Sequence, residues 1–80
     1  MRKIKMIWDF RGPHAEETAK HYELHLKEYL KIEEVYNAQT GYAKINDSFT
    51  TTYAIVNEPD MRKVRDDLKP HRGEWYEENH

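Results

Sequence analysis

The chain has 80 residues, and its 13 basic and 15 acidic side chains give a formal net charge of −2. A chain of this length buries only about 60 % of its unfolded surface, so we expect one domain, over residues 1–80, with a small core. The near-neutral charge disfavours nonspecific binding to nucleic acid or to an anionic membrane, and no cysteine is present to form disulfides or a Cys-based zinc site.

The sequence carries no recognisable export or membrane signal. The apolar run near the N-terminus is interrupted by Lys5 and is too short for the core of a signal peptide. No segment approaches the ~20 apolar residues of a membrane span. Together with the absence of cysteine, these features predict a cytoplasmic protein without a membrane or nucleic-acid partner.

The first two predicted elements are a strand and a long helix. Apolar and polar residues alternate from Lys3 to Phe10, and this period of two predicts a strand with two large aromatic residues on one face. Arg-Gly-Pro at 11–13 ends the strand, and an amphipathic helix follows from His14 to about Ile32. The apolar positions of that helix recur at spacings of three and four: Ala15, Ala19, Tyr22, Leu26, Tyr29 and Leu30.

A β-hairpin is predicted next, from segments at residues 35–44 and 49–56. Residues 46–48, Asn-Asp-Ser, lie between the segments and tolerate turn geometry. We expect Gly41 to bend or bulge the first strand. The second strand is rich in β-branched residues, and neither of its faces is purely polar.

A second, shorter helix and a tail complete the chain. Asn57 can cap this helix, Pro59 suits its first turn, and Pro70 ends it. The tail, residues 71–80, is too short for another helix. Because Trp75 and Tyr76 need cover, we expect the tail to form a short edge strand or a subunit contact.

The order β-α-β-β-α, with a last strand where the tail pairs, predicts an α+β fold. Right-handed connections between these units give a ferredoxin-like antiparallel sheet with two helices on one face. The other face of the sheet is then left without cover. We therefore expect a homodimer that forms through the sheets.

A row of three histidines is the main candidate for a functional site. On a helix, His14, His21 and His25 fall within about 40° of one another, beside the core-facing stripe. His21 and His25 are four residues apart, so both imidazoles can reach one ligand. Histidine exchanges protons near neutral pH, which favours general acid or base catalysis. The alternative is that these are boundary residues that only pack.

A metal site would use His21 and His25, with His14, Glu17 or Glu28 as a third ligand. The helix lacks the His-Glu-x-x-His pattern that places a catalytic glutamate between two zinc ligands. We therefore predict neither a metal nor a cofactor.

Charged residues elsewhere offer weaker candidates. Asp9, at the end of the first strand, can orient an imidazole, and Arg11 can bind an anion; the alternative role for both is turn formation. The second helix and its exit are locally basic but are interspersed with aspartates, so we interpret them as a solvated face and not as an RNA site. The basic residues are Arg62, Lys63, Arg65, Lys69 and Arg72.

The aromatic content, six tyrosines and two tryptophans, exceeds the needs of so small a core. Some of these side chains are therefore expected to line a cavity or a subunit interface. Trp8, Phe10 and Tyr53 are the cavity candidates, with ordinary packing as the alternative.

Two stretches of the sequence resemble YCII-related domains, members of the dimeric α+β barrel superfamily. The first is Gly12-Pro13 followed by His21-x-x-x-His25-Leu26-x-x-Tyr29-Leu30. The second is Tyr53-Ala54-Ile55-Val56, then Pro59-Asp60 and a helix that ends at Pro70.

This resemblance implies a ferredoxin-like fold, dimerisation through the sheets, and a histidine and aspartate pair in a pocket beside the first helix. His25 stands at the histidine position. Where the family has Asp-Pro after the second helix, this chain has Lys69-Pro70-His71, so the expected carboxylate is missing. Asp9 or His71 would have to take its place.

The leading functional hypothesis is a small dimeric protein that binds or converts a small organic molecule at a histidine-lined pocket beside the first helix. Its candidate catalytic residues are His25, His21, Asp9 and His71. The alternative is a non-catalytic protein-interaction or structural module, in which the uncovered sheet and the aromatic tail bind a partner. The sequence leaves open whether the protein is an enzyme.

Overall fold

A computed structural model describes residues 2–77, in which four strands and two helices alternate in the order β-α-β-β-α-β. The elements are β1 (Lys3–Arg11), α1 (Ala15–Ile32), β2 (Gln39–Asn46), β3 (Phe49–Asn57), α2 (Glu58–Leu68) and β4 (Arg72–Tyr76). The strands form one antiparallel sheet in the order β2-β3-β1-β4. This is the predicted α+β, ferredoxin-like arrangement. Residues 78–80 of the predicted tail lie outside the described residues, as does residue 1.

The two central strands, β1 and β3, carry the core on their helix-facing side. Ile4 lies opposite Val56, and Met6 lies opposite Ala54, so these two apolar residues of β1 meet buried residues of β3. Leu26 from α1 and other apolar residues from both helices pack on this layer. The period-two alternation of the sequence therefore identified the correct buried face.

Helix α1 lies close to the sheet because its sheet-facing side begins with alanines. Ala15 and Ala19 are buried. The Thr52 hydroxyl, in the middle of β3, donates a hydrogen bond of 2.8 Å to the Ala19 carbonyl oxygen. A larger side chain at either alanine would push the helix away and break this contact.

The open face of the sheet is partly covered by its own side chains. Ile7 and Ile55 lie on this face, yet they are only 6 % and 4 % exposed. The Tyr53 ring lies across Gly41, where an added Cβ would overlap the phenol. The Lys5 ammonium stands 4.6 Å from the centre of the Tyr53 ring. The apolar residues that were expected to be bare are therefore already shielded from water.

Strand β2 spans Gln39–Asn46, whereas the prediction was 35–44, so both ends differ. It begins at Gln39 and not at Val35, because Glu34 and Asn37 have φ angles of 57° and 63° and turn the chain before the strand starts. Val35 is buried all the same, from a loop. A buried residue is apolar whether it lies in a loop or in a strand, so the apolar side chain at residue 35 did not distinguish the two.

The predicted bulge at Gly41 is also wrong, since Gly41 pairs in regular register with Tyr53. The irregularity lies between Lys44 and Asn46, at the end of the hairpin. There the Asn46 side-chain oxygen accepts a hydrogen bond of 2.9 Å from the Ser48 backbone N–H, which closes the predicted turn.

The last two elements agree with the prediction. Helix α2 has Pro59 in its first turn, and Lys69, in the left-handed region at φ 47°, ends it just before Pro70. The tail forms β4, a short edge strand paired with β1. Within residues 2–77, no helix is long and apolar enough to cross a membrane.

Replacement of Val64 should test how α2 is held. Val64 is the buried residue of α2 and is fully enclosed. We expect Val64→Ala to lower the free energy of unfolding by about 2 kcal/mol, because it removes two methyl groups and leaves a cavity. Urea unfolding followed by circular dichroism measures this change. Arg62→Ala, at an exposed position of the same helix, is the matched control, and an equal loss in both variants would contradict the assignment.

Candidate functional site

Helix α1 brings His21 and His25 side by side on its exposed flank. Their ring centres are 4.8 Å apart, and the rings meet edge to face at an interplanar angle of 70°. Neither imidazole hydrogen-bonds to another residue in the part of the chain that the structure describes. Both rings therefore present ring nitrogens to the surface, as the spacing of four predicts.

Tyr22 forms the floor beside the two histidines. Its ring packs against Trp8 and Phe10, with centroid distances of 5.4 Å in both cases. Burial raises the pKa of the Tyr22 phenol, so the hydroxyl stays protonated and able to donate well above neutral pH. Tyr22 thus packs against the core, as predicted, but is only partly buried.

Together these residues line a shallow depression on α1, which we call the α1 groove. It has a volume of about 360 Å³ and is bordered by Glu17, Thr18, His21, Tyr22 and His25. Its surface is mainly apolar. An apolar surface with a few convergent polar groups suits a small organic ligand.

The third histidine of the predicted row lies outside this groove. His14 precedes α1 as its N-cap residue, with non-helical backbone angles, so the helix begins at Ala15. Gly12, at φ 116°, turns the chain sharply between β1 and α1. The predicted row of three is therefore a pair.

Asp9 and His71 come together elsewhere, at the junction of β1 and β4. The His71 Nδ1 atom accepts a hydrogen bond of 2.8 Å from the Asp9 backbone N–H. The Asp9 carboxylate accepts a hydrogen bond of 3.1 Å from Arg72 Nη2 and forms an ion pair with that side chain. Both residues thus stabilise the pairing of the edge strand.

The two groups of candidate residues do not meet. Within residues 2–77, no hydrogen bond or ion pair joins His21 or His25 to Asp9 or His71. The same residues contain no cluster of three or more histidine, aspartate or glutamate side chains that could hold a metal ion. The cavity candidates are also divided, since Trp8 and Phe10 face the helices and Tyr53 lies on the open face.

A polar connection between the helices was not foreseen from the sequence. The Tyr29 hydroxyl on α1 donates a hydrogen bond of 2.5 Å to the Asp67 carboxylate on α2. Lys63 on α2 forms an ion pair of 2.6 Å with Glu33, just after α1. Desolvation, followed by the hydrogen bond to Asp67, raises the pKa of Tyr29. The hydrogen bond to Glu33 is the main cause of the raised pKa of Lys63.

Comparison with protein-family models, with curated proteins and with solved structures found no match to this chain. The α1 groove must therefore be judged on its own geometry.

The hydrogen bond between Tyr29 and Asp67 gives a pH-dependent prediction. Tyr29→Phe should lower the free energy of unfolding by about 1 kcal/mol at pH 7. Because the folded protein raises the pKa of Tyr29, this contribution is complete below pH 10.0, the ordinary value, and is lost as pH rises toward the folded pKa. The stability difference between wild type and Tyr29→Phe should therefore shrink in alkaline solution.

Chemical denaturation at a series of pH values measures this difference. Tyr36→Phe is the control, because Tyr36 is 66 % exposed. A difference for Tyr29→Phe that stays constant far into the alkaline range would show that the hydrogen bond contributes nothing.

Proposed function

We propose that this chain is a homodimeric protein that binds a small planar organic molecule in the α1 groove, between His21 and His25 and over Tyr22. The observation that carries this proposal is the pair of adjacent imidazoles beside a half-buried phenol. None of the three polar groups has a hydrogen-bond partner within residues 2–77. Packing alone does not require three unpaired polar groups around one apolar depression, whereas ligand binding uses them.

The groove offers both shape and hydrogen-bonding capacity to such a ligand. Each neutral imidazole has one donor and one acceptor, and the Tyr22 hydroxyl adds another donor. The ring faces of the three side chains supply apolar contact to a planar molecule. Histidine is suited to proton exchange, so we extend the proposal to His21 and His25 as proton carriers if the bound molecule is converted.

Ring signals in NMR spectra test the binding site. We expect phenol, benzamide and benzoate at millimolar concentration to shift the ring signals of His21, His25 and Tyr22 while leaving those of His71 in place. The double variant His21→Gln/His25→Gln should abolish saturable binding, because it removes both imidazoles. His14→Gln is the matched control and should bind as wild type does. Unchanged affinity in the double variant would contradict the proposed site.

The dimer is proposed to form through the half of the open face that lacks charge. Strands β2 and β3 present small or neutral residues there, and strands β1 and β4, which form the other half of the sheet, present the charged ones. The accessible neutral residues are Gln39, Gly41, Ala43 and Tyr53, and they surround the buried Thr51 and Ile55. A patch of this kind can pack against its own copy around a two-fold axis without placing like charges together.

Sedimentation at micromolar concentration should give twice the single-chain mass. Ala43 is exposed at one end of the neutral patch, and Ala43→Arg should shift the protein toward the single-chain mass because it places two charges against each other at the interface. Ala43→Thr keeps the patch neutral and should remain dimeric. A single-chain mass for the wild type would exclude the dimer and leave the α1 groove untouched.

A further inference from the structure

A second pocket lies where the end of α1, the loop after it and the start of β2 meet. It has a volume of about 350 Å³, and its lining includes Leu30 and Lys31 of the helix, residues 35–38 of the loop and Thr40 of the strand. Thr40 lies opposite Ala54, so its side chain is on the helix side of the sheet. The pocket is therefore separate from both the α1 groove and the proposed dimer face.

The loop gives this pocket an apolar floor and an aromatic edge. Leu30 and Val35 line the pocket and are only 5 % and 7 % exposed, whereas the Tyr36 ring is 66 % exposed. Glu34 and Asn37 have φ angles of 57° and 63°, in the left-handed region that is unfavourable for residues with a side chain. Strained backbone of this kind is concentrated at functional sites. The loop thus keeps an unfavourable conformation that holds one apolar side chain inward and leaves the next one accessible.

The charged residues that line the pocket leave one positive charge without a partner. Lys27 forms an ion pair of 3.6 Å with Glu23, and the Thr40 hydroxyl donates a hydrogen bond of 3.1 Å to the same carboxylate. Lys31, one turn further along the helix, forms no ion pair within residues 2–77. The Asn37 side-chain amide, which also lines the pocket, has no hydrogen-bond partner in that range.

The nearby acidic residues do not cancel the charge of Lys31. Glu33 forms an ion pair of 2.6 Å with Lys63 on α2. Its hydrogen bond is the main cause of the raised pKa of Lys63, and the charge of Glu34 adds to that effect, so both carboxylates act on the α2 side. Glu28 precedes Lys31 by three residues but does not line the pocket. The pocket therefore has a surplus of one positive charge beside an apolar floor.

We propose that this pocket binds a small organic molecule with an apolar body and a single carboxylate. The carboxylate pairs with the Lys31 ammonium and accepts a hydrogen bond from the Asn37 amide. The apolar body lies on Leu30 and Val35 and against the Tyr36 ring. One free ammonium and one amide match the single charge of a carboxylate, whereas a phosphate dianion needs more donors and more positive charge. This site is independent of the α1 groove.

Three variants that change the net charge equally test the site. Lys31→Gln removes the partner of the carboxylate. Asn37→Asp places a negative charge at the pocket and keeps a residue type that tolerates φ 63°. Lys20→Gln is the matched control, because it removes the same charge from the same flank of α1, about 16 Å along the helix from Lys31. All three positions are exposed, so the fold should be retained.

The probe is phenylpropionate, titrated into the full chain at neutral pH and followed by amide NMR. Phenylpropionamide and phenylpropylamine are the uncharged and cationic analogues. We expect saturable shifts at the Lys31, Val35 and Asn37 amides at millimolar concentration, with the carboxylate bound more tightly than either analogue. Lys31→Gln and Asn37→Asp should each weaken carboxylate binding about threefold to fivefold and reduce its dependence on salt. Lys20→Gln should bind as wild type does.

Three results would overturn the proposal. The first is the absence of saturable shifts at these amides. The second is equal affinity for the carboxylate and its two analogues, or equal weakening by Lys31→Gln and Lys20→Gln, since either would show that Lys31 does not select an anion. The third is a set of shifts confined to His21, Tyr22 and His25, which would assign the probe to the α1 groove alone. None of these results would exclude ligand binding in that groove.

Discussion

The close contact between α1 and β3 positions the proposed ligand-binding groove. Ala15 and Ala19 have no side chain beyond Cβ, so the helix backbone comes near enough for the Thr52 hydroxyl to reach the Ala19 carbonyl oxygen at 2.8 Å. This buried bond fixes both the height and the rotation of the helix above the sheet. With the rotation fixed, Tyr22 lies on Trp8 and Phe10, and the neighbouring histidines point to the surface.

Helix α2 is held against the sheet in a different way from α1. It buries Val64 and packs Met61 and Leu68 against the core. Polar contacts add to this packing, and they include the bond of Tyr29 to Asp67 and a 3.0 Å hydrogen bond from Trp8 Nε1 to the Leu68 carbonyl oxygen. These contacts hold α2 toward α1 and at its C-terminal end. The beginning of the helix, near Met61, is left beside a short edge strand with space between them.

The sequence predicted those features that depend on local periodicity. Alternation identified the buried face of β1, and helical spacing identified both the core side of α1 and the pairing of His21 with His25. Periodicity failed at Val35, because burial from a loop and burial from a strand need the same kind of side chain. It also could not place Asp9 or His71, because their partners are set by the register of β4, about 60 residues along the chain.

The sheet itself limits which residues can exchange protons with His25. Asp9 alternates with Trp8, so its carboxylate lies on the open face, where it pairs with Arg72, and α1 lies on the opposite face. Within one chain, the sheet therefore separates the Asp9 carboxylate from His25, and the two side chains do not form a hydrogen-bonded pair. His71 is likewise engaged, because its Nδ1 accepts the Asp9 N–H. The titratable groups that border the α1 groove with His25 are therefore Glu17, His21 and the Tyr22 hydroxyl.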